Sequence, residues 1–433
     1  MLNFAVTRSQ LLVFAGSAVT ASRPIKAQRP HDHSSSFRQM SPSKNFQRKT
    51  VMLSFLNAIE LSKQPSAVLD LTNPTKLTPP AGDDKSLERG QTKSRPISDH
   101  PEHPANSKNA SVYYSRTDNL VGLSTDQQAI KLADAMRSIG PGKVMLLETA
   151  GPRGGSYVKE LAAALPKALE MIPPSERPEI RFFISDGRPS AALKPGDPHN
   201  PFADHLQSLN REKKDSGTAA YDQTNGARLV PNWGNDKVFE YFQAEVRETI
   251  ELAKKLGIKS VLIDDHMGVP AKLMPQFKDT LGLKSDAEAQ QIITGRYQQV
   301  LGMIRGAGLE TGISSAGSPR ESLQFGIDLV KLAPFADTIE IQAYREKLSS
   351  VQAMTADLYK SIQDNFDKFK NTKAIKVALV PAPNKIKLSE NELIQYQKEI
   401  NNFQKQVEKL YEQRGVTPPK VTTSLWAHQN FYK

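Results

Sequence analysis

The chain of 433 residues contains no cysteine, which excludes disulfides, thiolate zinc sites and a cysteine nucleophile. Aromatic residues are scarce, at 7%, and only two are tryptophans, Trp233 and Trp426. No apolar run approaches the roughly 20 residues that a membrane helix needs, so no stable membrane span is expected. The Gly-x-Ser-x-Gly elbow of serine hydrolases is missing, and Gly312-Ile-Ser-Ser-Ala-Gly317 is a strand end with small residues. Gly151-Pro-Arg-Gly154-Gly155 lacks the glycine spacing that cradles a dinucleotide, so no cofactor is expected. Nor is there a basic stripe with interleaved aromatics on a folded segment, so nucleic acid is not an expected partner.

The sequence divides into two unlike parts. Up to Ala110 it is rich in Ser, Pro, Asn and basic residues, with 15 Lys/Arg against 8 Asp/Glu; the remainder has 42 against 38. Most of the net charge of +11 therefore lies in an arm, residues 1–110, whose composition cannot bury enough apolar surface to offset its ordering entropy. That arm is expected to be disordered. Arg8 precedes an apolar run from Leu11 to Val19, and Val19-Thr20-Ala21 offers small residues for cleavage, a pattern compatible with export or secretion. If the run is not a signal, a cytoplasmic location follows. The stretch Val51–Leu61 is an apolar island at helical spacing, suited to a docking peptide, and the basic arm could meet a secretion chaperone, a host partner or anionic lipid.

From Asn119 onward strand-like and helix-like segments alternate, the pattern of an α/β fold. Strands are expected at 143–148, 179–185, 228–230 (the weakest), 259–263, 311–315, 337–343, 375–380 and 421–426. Ser285, Ser318 and Ser389, each followed three residues later by Glu, predict helix starts, and Gly257 and Gly415 predict helix ends. Phe239, Phe242, Val246, Ile250 and Ala253 share one helix face; Leu393, Tyr396, Ile400, Phe403, Val407 and Leu410 share another. Eight strands alternating with helices predict a TIM-like (β/α)8 barrel over 119–433, preceded by the long arm. An open doubly wound sheet is the other topology that the pattern allows. The long polar segment Asp186–Ala227, which contains His199 and His205, would wall a groove on the catalytic face.

The most informative stretch is Ile258–Pro270, where an apolar strand runs into Asp264, Asp265 and His266. Charged groups at the carboxyl end of a parallel strand lie where such barrels carry chemistry. The same aspartates could instead cap the following turn. Glycoside hydrolysis uses two carboxyl groups on opposite sides of the scissile bond, and neighbours on an extended strand point to opposite faces. A partner from another strand is therefore expected: Glu340 first, Glu148 second. Glu340, Gln342 and Tyr344 share one face of their strand, although which parity looks inward is open. Trp233, Trp426 and Tyr344 would stack on sugar rings if exposed, or fill the core if not. A divalent ion held by Asp264, Asp265 and His266 with His199 or His205 would use the same residues differently; no metal is assigned.

The order of Leu229-Val230-Pro231-Asn232-Trp233, Ile263-Asp264-Asp265-His266 and Glu340-Ile341-Gln342-Ala343-Tyr344-Arg345 resembles the glycosyl hydrolase-like family 10 proteins of bacteria, over roughly residues 140–433. Those proteins show Asn-Pro where this chain has Pro231-Asn232. The resemblance implies a TIM barrel with a carbohydrate-sized groove and adds Asn232 to the candidate ligand-binding residues. The expected activity is a glycoside hydrolase-like one, cleaving or binding carbohydrate with paired carboxyls. Asp265 is expected as the catalytic carboxylate, Asp264 as its orienting neighbour and Glu340 as the opposing acid or base, with His266, Gln342, Tyr344, Trp233, Asn232, Glu148 and Trp426 around the ligand. The alternative is a catalytically silent barrel acting as a secreted binding or host-interaction module.

Overall fold

The structure, a computed structural model, describes residues 98–433 apart from 116–118, 121, 152–154, 186–218, 223–227, 272, 346, 381–387, 427, 429–430 and 433. Most of the N-terminal arm and most of the Asp186–Ala227 segment, with His199 and His205, thus lie outside the described residues.

Eight strands form the barrel: β1 (Ser111–Tyr114), β2 (Val144–Gly151), β3 (Glu179–Ile184), β4 (Ser260–Ile263), β5 (Glu310–Ser315), β6 (Thr338–Gln342), β7 (Ala374–Leu379) and β8 (Lys420–Leu425). Each runs parallel to its neighbours in sequence order, and β1 also pairs with β8, Ser111 opposite Ser424. The sheet is therefore a closed (β/α)8 barrel, and the open doubly wound alternative is ruled out.

Two expectations are corrected. The segment at 228–230 is extended, but Arg228–Pro231 pairs antiparallel with Ala219–Asp222 in a separate two-stranded sheet. The missing barrel strand is β1, which lies ahead of the expected start at 119. Its lead-in is packed as well: His103, Ala105 and Ala110 are buried, and His103 caps the short turn Pro104–Asn106. The folded unit thus takes in residues that composition alone assigned to the arm.

Helices cover the outside of the barrel, the longer ones at Thr125–Ile139, Val158–Glu170, Asp236–Leu256, Asp286–Gly306, Leu348–Asp364 and Glu390–Gln413. Ser318 and Ser389 form full capping boxes with Glu321 and Glu392. Ser285 caps its helix by accepting from the Glu288 N–H, while the Glu288 carboxylate turns to the N–H of Lys284. Such caps contribute about 1 kcal/mol each. Gly257 and Gly415 end their helices at φ of 69° and 68°, where a side chain would be strained. The apolar faces expected at 239–253 and 393–410 are buried.

Alternation along the strands separates two sets of side chains. Met145, Leu147, Phe182, Ile184, Val261, Ile263, Ile339, Ile341, Ile375, Val377 and Leu379 belong to the large core under the helices. The opposite parity looks into the barrel, where Tyr113, Val144, Leu146, Phe183 and Leu262 make a small separate apolar cluster. Other inward positions are polar or charged: Ser111, Glu148, Ser314, Glu340, Lys376, Thr422 and Ser424, all buried.

A chain starting at residue 98 is expected to melt cooperatively, whereas one starting at 119 lacks β1 and leaves β2 and β8 with unpaired edges. Burial of Val112 alone contributes about 1.5–3 kcal/mol, and two buried tyrosines leave with it. Thermal unfolding followed by circular dichroism separates the two cases. An equally cooperative transition in the shorter chain would show that β1 is dispensable.

Candidate active site

Strand β4 is buried throughout, and the chain leaves it at Asp264 (φ −76°, ψ 170°) to enter the single turn Asp265–Met267. Asp264 caps this turn, its Oδ1 accepting from the Asp265 N–H at 2.8 Å. The capping role that the sequence allowed is thus present. It does more than cap, because the turn folds Asp265 and His266 back beside Asp264. One ligand atom from each of the three lies within 4.8 Å of the others. Strand alternation, which would have set the two carboxyls on opposite faces, no longer applies past Ile263.

Asp264 is tied in from several directions. Gln342 Nε2 donates to its Oδ1 at 2.8 Å, Tyr297 Oη donates to its main-chain carbonyl at 3.0 Å, and His266 Nε2 is 3.4 Å from its Oδ2. Burial pushes the Asp264 carboxyl well above the usual carboxylate range, and the charge of Asp265 pushes it further; the Asp265 N–H opposes and Glu340 adds a smaller increase. Asp265 is the more exposed partner, with side-chain accessibility of 11% against 4%.

The inward parity of β6 is settled by Ile339 and Ile341, which pack under the helices. Glu340 and Gln342 therefore face the barrel interior. Glu340 is fully buried; its Oε1 accepts from Ser314 Oγ at 2.7 Å, and its Oε2 has no hydrogen-bond partner among the described residues. Gln342 Nε2 also donates to Ser314 Oγ at 3.2 Å. A polar chain Asp264–Gln342–Ser314–Glu340 thus links β4 to β6 across β5.

Glu148, near the end of β2, is engaged by three hydroxyls: Tyr113 Oη at 2.9 Å, Ser115 Oγ at 3.2 Å and Ser185 Oγ at 2.9 Å. Sequence reasoning missed all three donors. Ser185 had a readable signal, being the inward residue after Phe183 at the end of a strand. Tyr113 had none, since its strand went unrecognised.

Trp426 stands at the end of β8, half-buried. Its ring stacks on Tyr113 at 3.7 Å and meets Phe183 and Tyr344 edge-on at 5.5 and 6.0 Å. The Tyr344 hydroxyl is buried without a partner among the described residues. Burial raises its pKa well above the ordinary phenol value, with Glu340, Asp264 and Asp265 adding to the shift.

Trp233 is fully buried and packs edge-on against Phe242 of the helix Asp236–Leu256 at 5.6 Å, which corrects its expected role as an exposed stacking platform. Asn232 Oδ1 accepts from the Gly234 N–H at 3.0 Å and so shapes the turn into that helix.

Among the described residues, Asp264, Asp265 and His266 form a group that could hold a metal ion. His266 Nδ1 contacts the Ser185 carbonyl, so that nitrogen donates its proton and Nε2 is left facing the two carboxyls. A backbone carbonyl on one imidazole nitrogen is the arrangement that orients the other toward a cation.

Fold and side chains together define a (β/α)8 barrel whose carboxyl-terminal mouth is lined by carboxyls, an amide and stacked aromatics. Its backbone is similar to that of three solved structures. The spore cortex-lytic enzyme SleL of Bacillus megaterium matches at 7% identity and a TM-score of 0.37, covering 74% of this chain and 70% of that one. A putative alpha-L-fucosidase of Bacteroides thetaiotaomicron matches at 11% and 0.34, covering 81% and 91%, and a family 2 AP endonuclease of Brucella melitensis at 12% and 0.35, covering 74% and 93%. No protein-family model and no curated protein sequence matches the chain.

The raised Asp264 pKa sets a testable dependence of stability on pH. A carboxyl that is easier to protonate folded than unfolded binds more protons in the native state between its ordinary value near 3.8 and its folded value. Stability from this group is then greatest below that window and declines as pH rises through it. Asp264→Asn, which keeps acceptors for the Asp265 N–H and Gln342, is expected to raise Tm at pH 8 and to leave it nearly unchanged at pH 3.5. A Tm difference between variant and parent that stays constant from pH 3.5 to pH 8 would contradict the assigned shift.

Proposed function

We propose that this barrel acts on a carbohydrate by acid–base chemistry between carboxyl groups at its carboxyl-terminal mouth, as a glycoside hydrolase-like enzyme related to the glycosyl hydrolase-like family 10 proteins. The observation that supports this reading best is the linkage of Asp264, just past the end of β4, to Glu340 on β6 through Gln342 and Ser314, with Asp265 more exposed beside it. Two titratable carboxyls in contact whose environments differ in burial are pushed apart in proton affinity, so one can hold a proton while the other stays charged. Asp264, whose affinity for a proton is raised by burial and by its neighbour's charge, orients Asp265. Asp265 acts as the catalytic carboxylate. Glu340, with one oxygen unengaged among the described residues, is a better opposing acid or base than Glu148, whose carboxylate already accepts from three hydroxyls.

The aromatic wall fits a ligand with flat apolar ring faces and many hydroxyls. Trp426 and Tyr344 would stack against a sugar ring, while Gln342 and His266 offer polar contacts at its edge. The reading extends to an exported chain in which the basic arm serves export or partner binding. A second reading, a binding barrel without turnover, draws support from the structural use of Asp264 as a turn cap.

Asp265→Asn separates the two readings. It is nearly isosteric and removes the ionisable group, so turnover of a glycan that the parent cleaves is expected to fall at least a hundredfold, while Tm moves by only a few degrees. Full turnover in this variant and in Glu340→Gln would sink the carboxyl mechanism. If the parent binds glycans on a broad panel and cleaves none, the binding barrel is the better description.

A further inference from the structure

The opposite end of the barrel carries a second group of charges. Around its amino-terminal mouth lies a cavity of about 200 Å³, and among its lining residues are Lys143, Glu179, Arg181, Lys376, Lys420 and Thr422. Four of these are cations and one is an anion. Lys143 and Lys420 stand at strand starts, whereas Arg181 and Lys376 each occupy the third position of their strand, β3 and β7. Lys376 alternates with Ile375 and Val377, which belong to the outer core, so its side chain enters the barrel.

Of the two inner cations, Arg181 is paired with Glu179, whereas Lys376 has no carboxylate within ion-pair distance among the described residues. The Lys376 ammonium is buried, and its one hydrogen bond runs from Nζ to Ser111 Oγ, at 2.5 Å. Two of its three N–H donors are thus unmet among the described residues. Arg181 gives its Nε–H to Glu179 at 2.7 Å, leaving the terminal nitrogens of a side chain only 15% exposed without a hydrogen bond there. Burial, and next the positive charge of Arg181, lower the Lys376 pKa to about 8, and Glu340 and Glu179 offset this only in part. A buried charge without an adequate counter-ion is costly.

We propose that the amino-terminal mouth of the barrel is a binding site for a small tetrahedral oxyanion, inorganic phosphate or the phosphate group of a larger ligand, held between Lys376 and Arg181 with Lys143 and Lys420 at the rim. The forked guanidinium presents parallel donors to two oxygens of such an anion, and the ammonium supplies a third contact from the barrel side. Thr422, the register partner of Lys376 on β8, adds a hydroxyl at the same depth. The cavity accommodates one phosphate with water. The site is separate from the carboxyl-lined mouth and does not depend on the chemistry proposed there.

The full chain at pH 7 and low ionic strength is titrated with inorganic phosphate, followed by the phosphorus NMR linewidth and by Tm, with sodium chloride of matched ionic strength as the control. Saturable broadening at millimolar phosphate and a Tm rise that chloride does not reproduce are expected. Lys376→Met should abolish both, and because removing a buried charge can stabilise the fold by itself, the reading is the phosphate-induced change within each variant. Arg181→Gln, a milder change, should weaken binding at least tenfold. A titration with ribose 5-phosphate distinguishes a phosphate-bearing ligand, which binds more tightly than phosphate itself, from the free ion. No saturable signal up to 20 mM phosphate, an equal response to chloride, or unaltered binding in both variants would overturn the proposal.

Discussion

Closure of the sheet by β1 is the constraint on which the rest of the site depends. Ser111–Tyr114 pairs with β2 along its whole length and with β8 at its first two residues, and no other strand among the described residues bridges those edges. Tyr113 carries the consequence. Its hydroxyl holds Glu148, one face of its ring stacks on Trp426, and its edge meets Phe183. A strand of four residues thereby fixes a carboxylate and the aromatic wall together, and Ser115, one residue beyond it, adds a second donor to the same carboxylate. Without that strand the elements that carry Glu148 and Trp426 would lie at opposite free edges of an open sheet.

The barrel interior is divided by charge. Carboxyls gather toward the carboxyl-terminal end, cations toward the amino-terminal end, and the apolar cluster of Val144, Leu146, Phe183 and Leu262 helps fill the interior. Interior burial makes each charge expensive in isolation, so its position is legible from its partners. Glu148 is surrounded by hydroxyl donors, Asp264 by an amide and a backbone N–H, and Glu340 by one serine. The number of donors falls in that order. Of these three carboxyls, Glu340 is the least committed to holding the structure together.

How far the sequence could be read depended on how long each signal ran. Strands such as Glu179–Ile184 and Ala374–Leu379 carry four and five apolar residues out of six, so they were legible. Ser111–Tyr114 is too short to show alternation and follows a Ser- and Pro-rich segment, which hid it; pairing with β2 and β8, strands from elsewhere in the sequence, is what makes it a strand. Arg228–Val230 had strand-like residues but not the barrel, because its backbone partner is the local segment Ala219–Asp222. The site was similar. Asp264, Asp265 and His266 could be found from their place at a strand end, yet their convergence arises from a turn whose geometry no periodicity encodes. The depth of Trp233 followed from Phe242 on a helix, a contact that no motif expresses.

Glu340 connects the two ends of the barrel. It is the register partner of Lys376 on β7 and of Ser314 on β5, so its two neighbours face it with an ammonium on one side and a hydroxyl on the other. The negative charge of Glu340 raises the Lys376 pKa while burial and Arg181 lower it, and the same Glu340 raises that of Asp264 and of Tyr344. The field at the carboxyl-rich mouth therefore depends on the charge of a lysine one strand away, through a carboxylate that touches neither the lysine nor Asp264 directly. In a water-poor interior such through-space coupling is only weakly screened.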